Sequence, residues 1–171
     1  MIDSGNAWAA MTAVHNLFQT ESDDVRLSFV GSPDPTDWPE WYRRLLTKML
    51  VLLNGDTVVY ASANLTDQED VPSGSAVVFT AKRVILGEVA GMSGAATVTT
   101  WTRRHIKSVA IDNLPPYPVA PAEDEVWPIR LRSEVVFDQG FSLYLPLNPT
   151  ASTGQLDATI TLLQELVREL K

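Results

Sequence analysis

The chain has 171 residues, of which 45% are hydrophobic, and it carries a formal net charge of -8 at pH 7. This length suits one well-buried core and is short for two, so we expect a single domain spanning residues 1–171. The acidic balance argues against nucleic acid as a partner, because polyanions attract a surplus of Lys and Arg. The absence of cysteine excludes a disulfide framework, a thiolate nucleophile and a zinc site with cysteine ligands.

The start of the chain indicates where the protein works. Residues 1–6 lack the basic segment of a secretory signal, and the sequence has no apolar run long enough to span a bilayer. We therefore expect a cytoplasmic protein with no membrane span.

The N-terminal part of the chain begins with the pattern of a helix followed by a strand. Apolar residues recur every three to four positions over residues 4–20, and Ser4 is a suitable N-cap. Residues 25–30 alternate apolar and polar side chains, as a half-buried strand does, until a Pro-rich and Gly-rich turn ends the pattern.

A second helix is predicted over residues 38–53. Its apolar stripe comprises Trp38, Trp41, Tyr42, Leu45, Leu46, Met49, Leu52 and Leu53. Either Thr36 or Asp37 is the expected N-cap, with Pro39 in the first turn. Asn54 and Gly55 tolerate the left-handed backbone that ends helices. Asn-Gly also fits a hairpin turn, but the long periodic run before it favours the end of a helix.

Short β signals dominate the chain after residue 56, and the hairpin over residues 76–89 is the sharpest. Two apolar, β-branched segments at 76–79 and 84–89 flank a polar connection at 80–83. The remaining predicted strands are 57–64, 96–102, 106–111, 129–137 and 141–147. The total is about seven strands.

Two polar connections and a closing helix complete the prediction. Residues 66–74 form an acidic loop before the central hairpin, and residues 114–127 form a long, exposed, Pro-rich connection. Ser152 or Thr153 is the expected N-cap of a C-terminal helix. The apolar stripe of that helix is predicted to contain Leu156, Ile160, Leu163, Val167 and Leu170.

The hairpin Val-Val-Phe-Thr-Ala-Lys-Arg-Val-Ile at residues 77–85, the strand order and the closing helix resemble the bacterial pleckstrin-homology-like (PH-like) domains. The resemblance covers residues 57–171. It implies an α+β fold, a PH-like bent antiparallel β-barrel or sandwich of about seven strands, closed by a C-terminal amphipathic helix. Residues 1–55 would then be an N-terminal helix-strand-helix extension.

The resemblance also implies a function. Eukaryotic relatives that bind phosphoinositides use basic residues around the loop between the first two strands, whereas the corresponding loop here, residues 66–74, is acidic. This argues against phosphoinositide binding. The implied role is a non-enzymatic protein-interaction or assembly module, with an unknown protein partner or self-association.

Catalytic and cofactor chemistry finds little support in the sequence. His15 and His105 are the only histidines and lack neighbours at metal-ligand spacing, so we expect neither a catalytic residue, a metal site nor a cofactor. The acidic run at residues 123–125 lacks the ligand spacing of a calcium loop.

Two groups of residues are candidates for contact with a partner. The first is the basic run of Arg103, Arg104, His105 and Lys107, near which Lys82 and Arg83 are expected to lie. A charged sheet edge that resists strand pairing explains this run more simply than an anion site. The second is the aromatic set Trp38, Trp41 and Tyr42, for which core packing is favoured over an interface.

The sequence therefore predicts a cytosolic bacterial PH-like protein that acts as an interaction or assembly module. Two alternatives stay open. One is a small-molecule-binding or hydrolytic protein with a pocket between the N-terminal helices and the sheet. The other is an acidic inhibitor or immunity-type protein, for which the net charge would suit a basic target.

Overall fold

The computed structural model describes residues 4–20, 34–67, 71–91, 93–113, 131–148 and 151–170. Within these residues the chain has an α+β fold with three α-helices and two antiparallel sheets. The strand predicted over residues 25–30 and the connection predicted over residues 114–127 lie outside the described residues.

The described N-terminal part forms two helices, α1 (Ser4–Thr20) and α2 (Glu40–Leu53). Asn54 ends α2 in the left-handed conformation, with a φ of 48°. Its N–H donates to the carbonyl of Leu50. The choice of a helix end over a hairpin turn at this position is therefore confirmed.

The predicted start of α2 is wrong. Thr36 and Asp37 do not cap it, because both lie in a short 3-10 helix whose own N-cap is Asp34. Asp34 accepts a hydrogen bond from the Thr36 N–H, which begins this separate turn. Pro39 is then the N-cap of α2 rather than part of its first turn, and it makes no side-chain cap. Trp38 precedes the helix.

Seven strands form the two sheets, each in the order of the chain. The first sheet contains β1 (Val58–Thr66), β2 (Ser73–Thr80), β3 (Arg83–Ala90) and β4 (Ala95–Thr102). The second contains β5 (Ile106–Asn113), β6 (Arg132–Phe137) and β7 (Ser142–Leu145). A 3-10 turn at Arg103–His105 separates the sheets. The meander therefore passes from one sheet to the other after β4.

The central hairpin is tighter than the sequence predicted. Only Ala81 and Lys82 lie between β2 and β3, because Thr80 and Arg83 belong to the strands. The Thr80 hydroxyl oxygen accepts hydrogen bonds from the N–H groups of Lys82 and Arg83, at 3.1 and 3.0 Å. This side chain thus satisfies the turn's backbone donors.

The C-terminal helix is α3 (Thr153–Glu169), and Ser152 caps it by accepting from the Gln155 N–H. The predicted apolar stripe is partly wrong, since Val167 and Leu170 are exposed. The buried residues of α3 are Gln155, Leu156, Thr159, Leu162, Leu163 and Leu166. The stripe shifts because polar Gln155 and Thr159 point inward and bond to the hydroxyl of Tyr60.

The two faces of the first sheet bury separate cores. On its outer face, residues such as Val78 and Ile85 pack against α1 and α2. On its inner face, Val77 and Phe79 pack against the second sheet and α3. The N-terminal helices therefore cover the sheet from outside. Within the described residues the two sheets do not join into a closed barrel.

Candidate interaction surface

The outer side of β4 carries backbone groups that no other described strand uses. Two hydrogen bonds fix their direction. The Arg103 N–H donates inward to Lys82, while the Lys48 ammonium donates to the Ala96 carbonyl. Because pairing alternates along an antiparallel ladder and the β3–β4 register has no shift, every second residue of β4 points its N–H and C=O away from β3. These residues are Ala96, Val98, Thr100 and Thr102, and we call their outward groups the β4 edge.

The sequence of β4 does little to discourage strand pairing. It reads Ala-Ala-Thr-Val-Thr-Thr-Trp-Thr and contains no charged residue and no proline. Natural edge strands are usually blunted by charge, proline or a bulge. The threonines at 97, 99, 100 and 102 are exposed and β-branched, which favours extended backbone. The β4 edge is thus suited to accept another strand.

A groove of about 490 Å³ lies beside this edge, between α2 and β4. Val51 and Leu52 of α2 line one side, and Ala96 and Val98 of β4 line the other. Val51 is 64% exposed, which is high for a branched aliphatic residue, and it lies on the solvent side of α2. We call this feature the α2–β4 groove.

Contacts at both ends of α2 fix its position along β4. Trp41 near its start packs so closely on Gly94 that a Cβ added there would lie 2.5 Å from the Trp41 Cβ. Near its end, the Leu52 carbonyl accepts a hydrogen bond of 2.8 Å from the guanidinium of Arg83. Arg83 also lies 3.4 Å from the carboxylate of Asp56. These contacts hold both ends of α2 against the first sheet.

The first residue of the predicted basic run, Arg103, is used inside the protein. Its side chain is only 4% exposed and donates to the Thr80 carbonyl at 3.0 Å and to the Glu169 carboxylate at 2.7 Å. Glu165 lies 3.6 Å away. Arg103 thus ties the central hairpin to the end of α3, and two carboxylates balance its charge.

The other residues of the basic run do not converge on one point. Arg104 is exposed and lines a cleft of about 640 Å³ together with Lys82 and Glu169. His105 pairs with Asp138, whose carboxylate oxygen lies 2.7 Å from Nδ1. Lys107 is exposed on β5. The cleft therefore has mixed charge.

Two of the three aromatic candidates lie in the core, as favoured from the sequence. Trp38 and Tyr42 are each 1% exposed, and Trp41 is half-buried. His15 from α1 lies between them: its Nδ1 is 3.0 Å from the Tyr42 hydroxyl, and its ring centroid is 4.1 Å from that of Trp38. Burial lowers the pKa of His15 and raises the pKa of Tyr42.

Sequence reasoning missed the residues that shape the groove. It gave no role to Lys48, Val51 or Val98. The available signal was Val51, an apolar residue that falls outside the predicted stripe. The β4 edge has no local signature, because its lack of a partner among the described strands depends on which strands pair across the sheet.

The β4 edge and the α2–β4 groove are not accompanied by a metal-ligand cluster or a membrane-spanning helix among the described residues. Among the described residues, no group of three or more His, Cys, Asp or Glu could hold a metal ion. None of the described helices is both long and apolar enough to cross a membrane. The sequence matches no protein-family model and no curated protein.

Proposed function

We propose that this chain is a non-enzymatic protein-interaction module of a cytosolic bacterial PH-like protein, and that it binds an extended segment of a partner along the β4 edge. The observation that carries the proposal is the uncharged edge of β4, which no other described strand pairs with and which lies beside the α2–β4 groove. Strand addition of this kind takes its affinity from main-chain hydrogen bonds and its specificity from pockets for alternate side chains. The β4 edge supplies the main-chain hydrogen-bonding groups, and the α2–β4 groove supplies a pocket for side chains.

The fold supports the PH-like part of the proposal only through its order of elements. Seven antiparallel strands precede an amphipathic helix, which is the order on which the resemblance rests. The interface between the N-terminal helices and the sheet is packed with buried side chains, among them Leu45, Leu46 and Met49. Its packed centre does not favour the alternative of an enclosed pocket there, and the opening at its exposed margin is the α2–β4 groove.

The test removes one outward N–H of β4 and keeps the hydrogen bonds between β3 and β4. Thr100→Pro deletes a donor of the β4 edge, and proline is tolerated where an edge N–H faces solvent. The matched control Thr100→Val keeps that donor. Peptides selected from a displayed random library on the full-length chain should bind the proline variant about tenfold or more weakly, and the valine variant unchanged.

A second variant covers the case in which Thr100→Pro does not fold. Val51→Glu alters the exposed wall of the groove and leaves the backbone intact, and circular dichroism checks both folds. Selected peptides that bind all three variants as tightly as the original chain would refute strand addition at β4.

A further inference from the structure

The Lys48 side chain restricts what can bind at the β4 edge. Its ammonium donates to the Ala96 carbonyl, which is one of the outward acceptors that an added strand would use. An added strand that donates to the Ala96 carbonyl displaces the Lys48 ammonium. The ammonium then lies beside the backbone of the added strand and has lost its hydrogen bond to Ala96. A carboxylate on the incoming strand would restore a charge-assisted hydrogen bond at that position.

The register shows where such a carboxylate would lie. Residues directly opposite each other in antiparallel strands point to the same face of the sheet. Ala96 and Val98 both face α2, since they pack against the core that α2 helps to form. A partner residue opposite Val98 therefore faces Val51, and a partner residue opposite Ala96 faces Lys48.

A second copy of this chain fits the edge poorly. Antiparallel pairing of β4 with itself over its full length places Ala96 opposite Thr102 of the other copy. The residue beside Lys48 would then be the uncharged Thr102, which offers no carboxylate to the ammonium. This mismatch would occur twice in a symmetric pair.

We infer that the partner of the β4 edge is an extended, acidic segment of a different protein. It lies antiparallel to β4, with an apolar residue opposite Val98 and an Asp or Glu two positions later, opposite Ala96. This inference rests on the proposed function, because it assumes strand addition. It adds the chemical class of the ligand and assigns Lys48 as the residue that selects it.

The experiment uses the peptides selected on the full-length chain. The selected sequences should share an apolar residue followed two positions later by an acidic one. Lys48→Glu should weaken their binding about threefold to tenfold, and replacing the peptide's acidic residue by lysine should restore it. Lys107→Glu is the control, since it makes the same charge change on exposed β5 and should leave binding unchanged.

The outcomes separate this inference from the proposed function. Peptides that require the Thr100 N–H but bind Lys48→Glu as well as Lys107→Glu overturn the acidic-segment inference alone. Peptides that are indifferent to Thr100→Pro overturn strand addition. Sedimentation of the free chain provides a third result: a dimer abolished by Thr100→Pro would make a second copy the occupant and would also overturn the inference.

Discussion

β1 and β4 are the edge strands of the first sheet, and they differ in the groups that lie beside them. Beside β1, the Gln155 amide donates to the Ala61 carbonyl at 3.1 Å, and the Leu147 N–H donates to the Ser62 hydroxyl at 3.0 Å. The first donor lies on α3, and the second follows β7. Beside β4, among the described residues, the donor that reaches the outward backbone is the exposed ammonium of Lys48.

The donors beside β1 and β4 also differ in burial. Gln155 is 1% exposed, so its amide is held by packing and by a second bond to the Tyr60 hydroxyl. Lys48 is an exposed side chain with a flexible stem, which water can replace at little cost. The contact beside β1 is therefore sealed in the core, whereas the contact beside β4 is exposed to solvent. This difference is why we propose the β4 edge, and not the β1 edge, as the one that a partner strand uses.

The largest effect is expected where the sealed edge is broken. Gln155→Ala removes the donor to the Ala61 carbonyl and leaves a buried acceptor unpaired, so the free energy of unfolding should fall by about 2 kcal/mol. Urea denaturation measures this change. Gln164→Ala is the control on the same helix, since Gln164 is exposed, and it should change stability by no more than about 0.5 kcal/mol. Equal effects would mean that β1 does not depend on its cover.

A smaller, pH-dependent effect is expected at α1, which covers β1 from the outer face. Burial beside Trp38 and Tyr42 lowers the pKa of His15 below its ordinary value of 6.5. The unfolded chain therefore takes up this proton more readily than the folded chain. The stability that neutral His15 provides is complete above pH 6.5 and is lost as the pH falls through the lowered pKa.

Urea denaturation from pH 7.5 down to the acid range tests this prediction, and His15→Phe is the control because it cannot titrate. Asp34 does not contribute to the change in stability just below pH 6.5, since the hydrogen bonds from Thr36 lower the pKa of its carboxyl below 3.8. Its contribution is lost only at more acidic pH. The same slope for both proteins just below pH 6.5 would show that another group is responsible.

Much of the sheet and helix content could be predicted because its signals are local. The apolar segments of β2 and β3 and the left-handed Asn54 at the end of α2 needed only neighbouring residues. The predictions that were wrong depended on contacts distant in sequence. Val167 and Leu170 are exposed because α3 turns Gln155 and Thr159 toward Tyr60, which lies about a hundred residues earlier.

The candidate site was hidden from the sequence for the same reason. The sequence pattern of a basic run does not distinguish side chains exposed to solvent from side chains that are paired inside the protein, as Arg103 is. The residues of the groove read as parts of an ordinary helix and strand. Their role depends on β4 being the last described strand of its sheet, which no local pattern specifies.

The smallest effect sharpens the comparison between the two edges. Lys48→Ala deletes a hydrogen bond to the backbone of an edge strand, as Gln155→Ala does, but it should change the free energy of unfolding by no more than about 0.5 kcal/mol. Water satisfies the exposed Ala96 carbonyl after the lysine is removed, whereas it cannot reach the buried surroundings of Gln155. Urea denaturation of both variants under one condition makes the comparison. A loss at Lys48 as large as that at Gln155 would mean that β4 is sealed like β1, and an incoming strand would then have to break a structural bond to bind.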